Sequence, residues 1–218
     1  MSLDFRTDPA ETGLVVIDMQ NDFCHPEGGR GKIVGPPGNQ YPLEIVPNVI
    51  RLIRACTPIM PVWFTKQVYY PEDKGQLQRR IPSHLLRRGP RASLVQRDSW
   101  GAEMLDEVGA EILPEHEVII KHRASAFYNT TFESELHMKG TQVLIVTGTT
   151  SSFCVESTVR DAYARDFDLL VPSDAIADSS LEAQEAVLNN VRRFFGLVTT
   201  TNELLETLPA PSSTLAGS

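Results

Sequence analysis

The chain reads as an α/β protein: a three-layer α/β/α sandwich built on a mainly parallel, Rossmann-like sheet. Three observations predict this. Short apolar runs of strand length alternate with amphipathic stretches of helix length along most of the sequence, the order that produces a parallel sheet with helices on both faces. Several runs are apolar throughout rather than alternating, as strands covered on both sides should be. Three of them end at, or just before, a chemically potent side chain: Asp18, Lys121 and Cys154.

The elements follow in order. Gly13-Leu14-Val15-Val16-Ile17 is a first buried strand tipped by Asp18, and a Gly/Pro-rich loop runs on through Asn39. Val46, Val49, Ile50 and Ile53 recur at helical spacing, so residues 46–55 are a helix. Residues 59–65 read as the second strand. Residues 69–99 carry many breakers and no strong period, and are expected to form an excursion over one face of the sheet, as a lid or a subunit contact. Glu117-Val118-Ile119-Ile120-Lys121 is the third strand. A short helix over 131–139, a strand over 142–147, a helix over 152–165 and a strand over 169–172 come next. A long helix over 181–195 stops at Gly196. A last strand over 197–199 and a helix over 202–208 complete one domain spanning residues 1–208, and residues 209–218 are expected to be a disordered tail.

Bulk properties narrow the function. The 218 residues suffice for one substantial core. A formal net charge of -8 disfavours nucleic acid or an anionic membrane as partner. The basic cluster Arg79, Arg80, Arg87, Arg88 and Arg91 lies in a breaker-rich stretch and reads as solvated loop or subunit contact. Cys24, Cys56 and Cys154 form neither a disulfide framework nor a zinc knuckle, which points to a reducing cytoplasm. No apolar run reaches membrane-spanning length, and the first residues lack the pattern of a signal peptide. With no GxGxxG and no Walker loop, the sheet does not advertise a nucleotide site, and no cofactor is expected.

Cys154 is the most informative residue. It falls where the strand Val143-Leu144-Ile145-Val146-Thr147 gives way, through Gly148-Thr149-Thr150-Ser151, to a helix. A thiol in the first turn of a helix faces unpaired N–H groups and the positive end of the dipole, which favour thiolate and suit an oxyanion. A buried structural cysteine is the plain alternative. Asp18 is alternatively a turn cap and Lys121 a surface lysine. Ligands gather outside the carboxyl ends of parallel strands, where all three residues fall. Together they make a coherent set: a carboxylate to take and return a proton, an ammonium to support both anions, and a sulfur to attack a carbonyl.

These residues also carry a resemblance. Val15-Val16-Ile17-Asp18-Met19-Gln20-Asn21-Asp22-Phe23 resembles the opening motif of the isochorismatase-like cysteine hydrolases. Lys121-His122-Arg123-Ala124-Ser125-Ala126-Phe127 is similar to that family's lysine segment, and Thr147 through Ala162 to its nucleophile segment. The resemblance implies that Asp18, Lys121 and Cys154 form a triad. It also implies a cis peptide between Thr149 and Thr150 that aims the Thr150 N–H, with that of Cys154, at the oxyanion. Ser151-Ser152 departs from the Thr-Asn often found there.

Nicotinamidase-like members carry a metal site of Asp and His residues after the second strand. Here residues 64–73 contain no histidine and His84 has no Asp-x-His companion, so no metal is expected. The flavour of Cys154 to Ala162, of Asn190-Val191-Arg192-Arg193-Phe194-Phe195-Gly196, and of the excursion before Ser99-Trp100-Gly101 resembles the ureide branch. That branch comprises biuret and triuret hydrolases, ureidoacrylate amidohydrolases and N-carbamoylsarcosine amidohydrolases. The implied activity is hydrolysis of a C–N bond in a small linear amide or ureide, by a homodimer or homotetramer. Phe23, Gln67, Phe127 and Phe153 are candidate pocket residues, with plain core as the alternative for the aromatics. Gln20 and Asn21 either bind substrate amides or satisfy loop backbone. Arg123 is a candidate carboxylate anchor, with a surface salt bridge as its alternative. Competing functions are a non-catalytic small-molecule-binding or regulatory protein of the same fold, and an esterase or thioesterase using the same sulfur.

Overall fold

A computed structural model describes residues 7–70 and 94–209. Its centre is a parallel sheet in the order β3-β2-β1-β4-β5-β7. The strands are β1 Thr12–Ile17, β2 Val62–Gln67, β3 Glu117–Lys121, β4 Val143–Thr149, β5 Asp168–Pro172, β6 Ile176–Ala177 and β7 Leu197–Thr199. β1 lies at the middle, paired with β2 on one side and β4 on the other. The two-residue β6, absent from the sequence reading, pairs with the end of β4 through Gly148↔Ile176 and Thr149↔Ala177.

Alternation along β1 divides the core. Leu14 and Val16 face one layer, where helices Val46–Cys56 and Thr201–Thr207 pack through Val49, Leu52, Ile53 and Leu204. Val15 and Ile17 face the other, covered by helices Phe132–Met138, Glu156–Tyr163 and Leu181–Asn190 through Phe132, Leu136, Val159 and Leu188. All four β1 side chains are fully buried, which explains why the run shows no polar alternation. The predicted three-layer α/β/α arrangement is therefore the observed one.

Boundaries and small elements differ in instructive ways. The second strand begins at Val62 rather than Ile59, because Ile59 and Met60 both donate to Cys56 O and close the preceding helix. The loop after β1 holds two short helices, Asn21–Cys24 and Gly29–Val34. The helices predicted over 152–165 and 181–195 are each part π-helical, at Ser151–Val155 and Val191–Phe195. Periodicity reports a 3.6-residue repeat and cannot reveal a local change of winding. The last helix starts from a capping box, in which Thr200 and Glu203 satisfy each other's backbone N–H groups. Of the predicted excursion, residues 71–93 lie outside the described residues, as do His84, the Arg79–Arg91 cluster and the tail from residue 210. Within the described part, Tyr69 forms a bridge with Gln96 that ties the end of that segment to the sheet.

Candidate active site

The carboxyl ends of β1, β2, β3 and β4 converge on one buried polar cluster. Gly148 makes the closest approach possible. Its φ is +106°, and a Cβ there would stand 2.1 Å from Ile17 O, so only glycine lets β4 bring Thr149 against Asp18. Asp18 is itself in the left-handed region, with φ 45°. A non-glycine residue held there costs on the order of 1–3 kcal/mol. The turn directs the carboxylate back across the strand ends. Thr149 Oγ1 donates to Asp18 O at 3.0 Å, and Thr65 Oγ1 to Asp18 Oδ1 at 2.6 Å.

Asp18 Oδ2 is 2.6 Å from Lys121 Nζ, and both side chains are fully buried. Lys121 Nζ also donates to Arg123 O, Ala124 O and Gln67 Oε1 at 3.1, 3.0 and 3.1 Å. Burial is the largest single influence on Lys121 and opposes its charge. Asp18 and the Cys154 sulfur outweigh it, so the ammonium is held above its usual range. Thr65 and the Lys121 carbonyl partners thus make this a paired and hydrogen-bonded buried charge, the arrangement that makes such burial tolerable.

Cys154 sits in the π-helical turn, buried, with its sulfur donating to Gln67 Oε1 at 3.3 Å and engaging Asp18 and Lys121. Phe153 and Val155 both donate backbone N–H groups to Thr150 O. The Thr149–Thr150 peptide is cis, as the resemblance implies. A helix-start position argues for a resting thiolate, but burial pushes the Cys154 thiol up to about 12, with Lys121 pulling the other way and Asp18 adding to the rise. Desolvation is the largest of these influences and opposes the thiolate that a helix start favours.

The other candidates separate. Gln67 lies within the cluster itself: its Oε1 is shared by Lys121 and Cys154, and its Nε2 donates to Tyr69 Oη. Burial raises the Tyr69 phenol, and Cys154, Lys121, Arg123 and Asp18 all act on it electrostatically. Arg123 is half-buried, donates Nη1 to His122 O at 2.7 Å, and has no acidic partner among the described residues. Phe127 is core, edge-on to Phe132 at 5.0 Å and beneath the Arg165 guanidinium. Phe23 bridges two apolar clusters, and Phe153 is largely exposed beside the cysteine. Gln20 and Asn21 take the backbone role. Gln20 exchanges hydrogen bonds with Gln67 N and O and reaches Ala102 O, while Asn21 reaches Trp100 O.

Comparison with known proteins follows this geometry. The isochorismatase domain family matches residues 12–203. The chain belongs to the isochorismatase family. Two curated relatives are named ureidoacrylate amidohydrolase RutB. The one from Methylobacterium radiotolerans is 31% identical and covers 96% of this chain and 84% of its own. That from an Enterobacter species is 30% identical over 94% of this chain and 92% of its own. An isochorismatase family protein from Desulfovibrio vulgaris superposes with a TM-score of 0.74 at 26% identity, over 93% of this chain and 98% of the other. A cysteine hydrolase from Pseudomonas syringae shares the fold, with a TM-score of 0.78 at 22% identity over 95% and 96%. This isochorismatase-family chain is a hydrolase. No described helix is long and apolar enough to cross a membrane.

Two residues of the site escaped the sequence reading. Thr65, at the end of β2, fixes the carboxylate, and nothing distinguishes it in sequence from any strand threonine. Asp178 accepts from the turn that carries Cys154, at Ser152 N, from 3.0 Å. Its signal was present: Ala175-Ile176-Ala177-Asp178 repeats, in miniature, the apolar run tipped by an acid that singled out Asp18.

Proposed function

We propose that this protein hydrolyses the ureide C–N bond of a small acidic ureide of the ureidoacrylate type, with Cys154 as nucleophile, Asp18 as acid–base and Lys121 as electrostatic support. The observation that carries the reading is the 2.6 Å Asp18–Lys121 pair, fully buried and engaged with the Cys154 sulfur. Burying two charges has no structural advantage over apolar packing and makes sense where one must handle a proton.

The steps balance as follows. The Cys154 sulfur forms a bond to the ureide carbonyl carbon while Asp18 takes the thiol proton. The carbonyl π electrons move to oxygen, which the Thr150 and Cys154 N–H groups receive. Collapse of the tetrahedral adduct breaks the C–N bond, and Asp18 returns the proton to the departing nitrogen. Water, deprotonated by Asp18, then attacks the S-carbamoyl group, and the released sulfur recovers its proton as carbamate leaves. Lys121 remains an ammonium throughout and keeps the carboxylate ionised between transfers.

Two features favour an acidic substrate over neutral biuret. Arg123 is a half-buried guanidinium with no acidic partner among the described residues, close enough to act on Tyr69. The curated relatives act, by their names, on ureidoacrylate, which bears a carboxylate. Ammonia and carbamate release should be measured with a ureidoacrylate, N-carbamoyl amino acids, biuret and simple amides. The expected order puts the carboxylate-bearing ureides first, and Arg123→Gln should raise their KM by about 10-fold or more, the value of one charge-assisted hydrogen bond, while leaving biuret unaffected. Silence across the panel from folded protein would sink the ureide reading.

A further inference from the structure

We infer that Asp178, held by Arg30, is a positioning residue for the nucleophile: a buried carboxylate that sets the turn carrying Cys154 without touching the reacting atoms. The proposal rests on the reading of Cys154 as nucleophile.

Asp178 immediately follows β6, whose pairing with Gly148 and Thr149 sets it beside the end of β4. It is only 3% exposed. Its two oxygens do different work. Oδ2 accepts from Ser152 N at 3.0 Å, from the Ser152 hydroxyl, and from Ser151 Oγ at 3.5 Å. Oδ1 accepts from Ser179 N at 2.7 Å and from Arg30 Nη2 at 3.1 Å, and that same nitrogen reaches Ser179 Oγ at 2.7 Å. One oxygen therefore grips the first turn of Ser151–Val155, and the other is anchored through Arg30 to the segment after β1. A carboxylate at a helix start satisfies orphan N–H groups and is favoured by the dipole. The helical residues stop at Ser151 on one side and the cysteine lies three residues on, so rotation of this turn moves the sulfur directly.

The arrangement also accounts for Ser151-Ser152. Two serines offer two hydroxyls and an amide to a single oxygen. The clamp is matched to the serines of this chain, with the acid supplied by a separate strand.

Positioning differs from mere support in its kinetic signature. An ångström-scale displacement of an attacking atom costs about 100-fold in rate, whereas loss of support lowers the melting temperature of an enzyme whose folded fraction turns over normally. Steady-state kinetics and thermal melts should be compared for wild type, Asp178→Asn, Arg30→Met and Cys154→Ser on the best substrate of the ureide panel. Asp178→Asn keeps the shape and removes the charge. It should lower kcat by about 30- to 100-fold with KM within twofold, and Arg30→Met should do the same more weakly. If Asp178→Asn fails to fold, Ser152→Gly, which deletes one arm of the clamp, should show the same kcat-only loss. Normal kcat in folded Asp178→Asn or Ser152→Gly, or a change confined to KM, overturns the proposal. Turnover by Cys154→Ser would instead overturn the nucleophile reading beneath it.

Discussion

Cys154 and Cys24 are both buried, both near Asp18, and both pushed up to about 12, yet they lie on opposite faces of the sheet and in different company. Cys24 belongs to the layer with Leu14 and Val16, where its sulfur meets Met19 Sδ at 4.0 Å and Thr149 Oγ1 at 3.6 Å. Cys154 belongs to the other layer, where Lys121 lowers its pKa and Gln67 Oε1 accepts a hydrogen bond from its thiol. Burial sets the same resting state for both. On the proposed reading, what separates Cys154 from a core thiol is a fixed ammonium and a proton acceptor within reach.

The largest test of that contrast is deletion of each sulfur. Cys154→Ser should lower turnover by at least about 10³-fold, as loss of a nucleophile does in other hydrolases. Cys24→Ala should leave turnover intact and cost stability on the order of 1 kcal/mol, since its sulfur packs in the core against Met19 and Thr149. Equal losses in the two variants would erase the distinction.

Next in size is the ion pair. Asp18→Asn or Lys121→Met strands one buried charge, at about 3–5 kcal/mol of stability, and turnover should fall by about 100-fold or more. The double variant Asp18→Asn with Lys121→Met should recover much of the stability in urea titration and none of the activity. Recovery of both would make the pair a structural one.

A pH titration sharpens the comparison further. Cys24, Cys56 and Cys154 all have folded values raised from 9.0 to about 12. A raised acid binds its proton more tightly folded than unfolded, so the stability it contributes is complete below 9 and declines as pH rises from 9 toward 12. The urea midpoint should fall over that window. Cys56→Ala should reduce the slope, and so should Cys154→Ala, because the effect belongs to burial and not to the reaction. Iodoacetamide should find all three thiols slow at neutral pH in the resting protein.

The sequence was most legible where physics is local. Val15 and Ile17 announce a doubly covered strand because nothing polar interrupts them, and Asp18, Lys121 and Cys154 are conspicuous because charge and sulfur end such runs. It was least legible where the outcome depends on what folds against a residue. Phe127 has the same local signature as a pocket aromatic, and only the positions of Phe132, Phe167 and Arg165 make it core. The resting protonation of Cys154 could not be read from its helix-start position, because desolvation is a tertiary quantity. Ile176–Ala177 is too short to declare itself a strand, and with it Asp178 was hidden.

Gln67 offers the smallest and most discriminating effect. Its Oε1 lies 3.1 Å from Lys121 Nζ and 3.3 Å from Cys154 Sγ, so it accepts from both the ammonium and the thiol. Gln67→Leu fills the space and removes the acceptor. The ammonium keeps three of its four oxygen partners, Asp18 Oδ2, Arg123 O and Ala124 O, so folding should be little changed. Turnover should fall by about 10-fold, the equivalent of one hydrogen bond to a charged group. The thiol should at the same time become more reactive toward iodoacetamide, because its proton then has Asp18 as its remaining acceptor. Cys24 rests instead against Met19 Sδ and Thr149 Oγ1, and removing either contact should not raise its alkylation rate. A slower Cys154 in Gln67→Leu would mean that the glutamine activates the sulfur rather than restrains it.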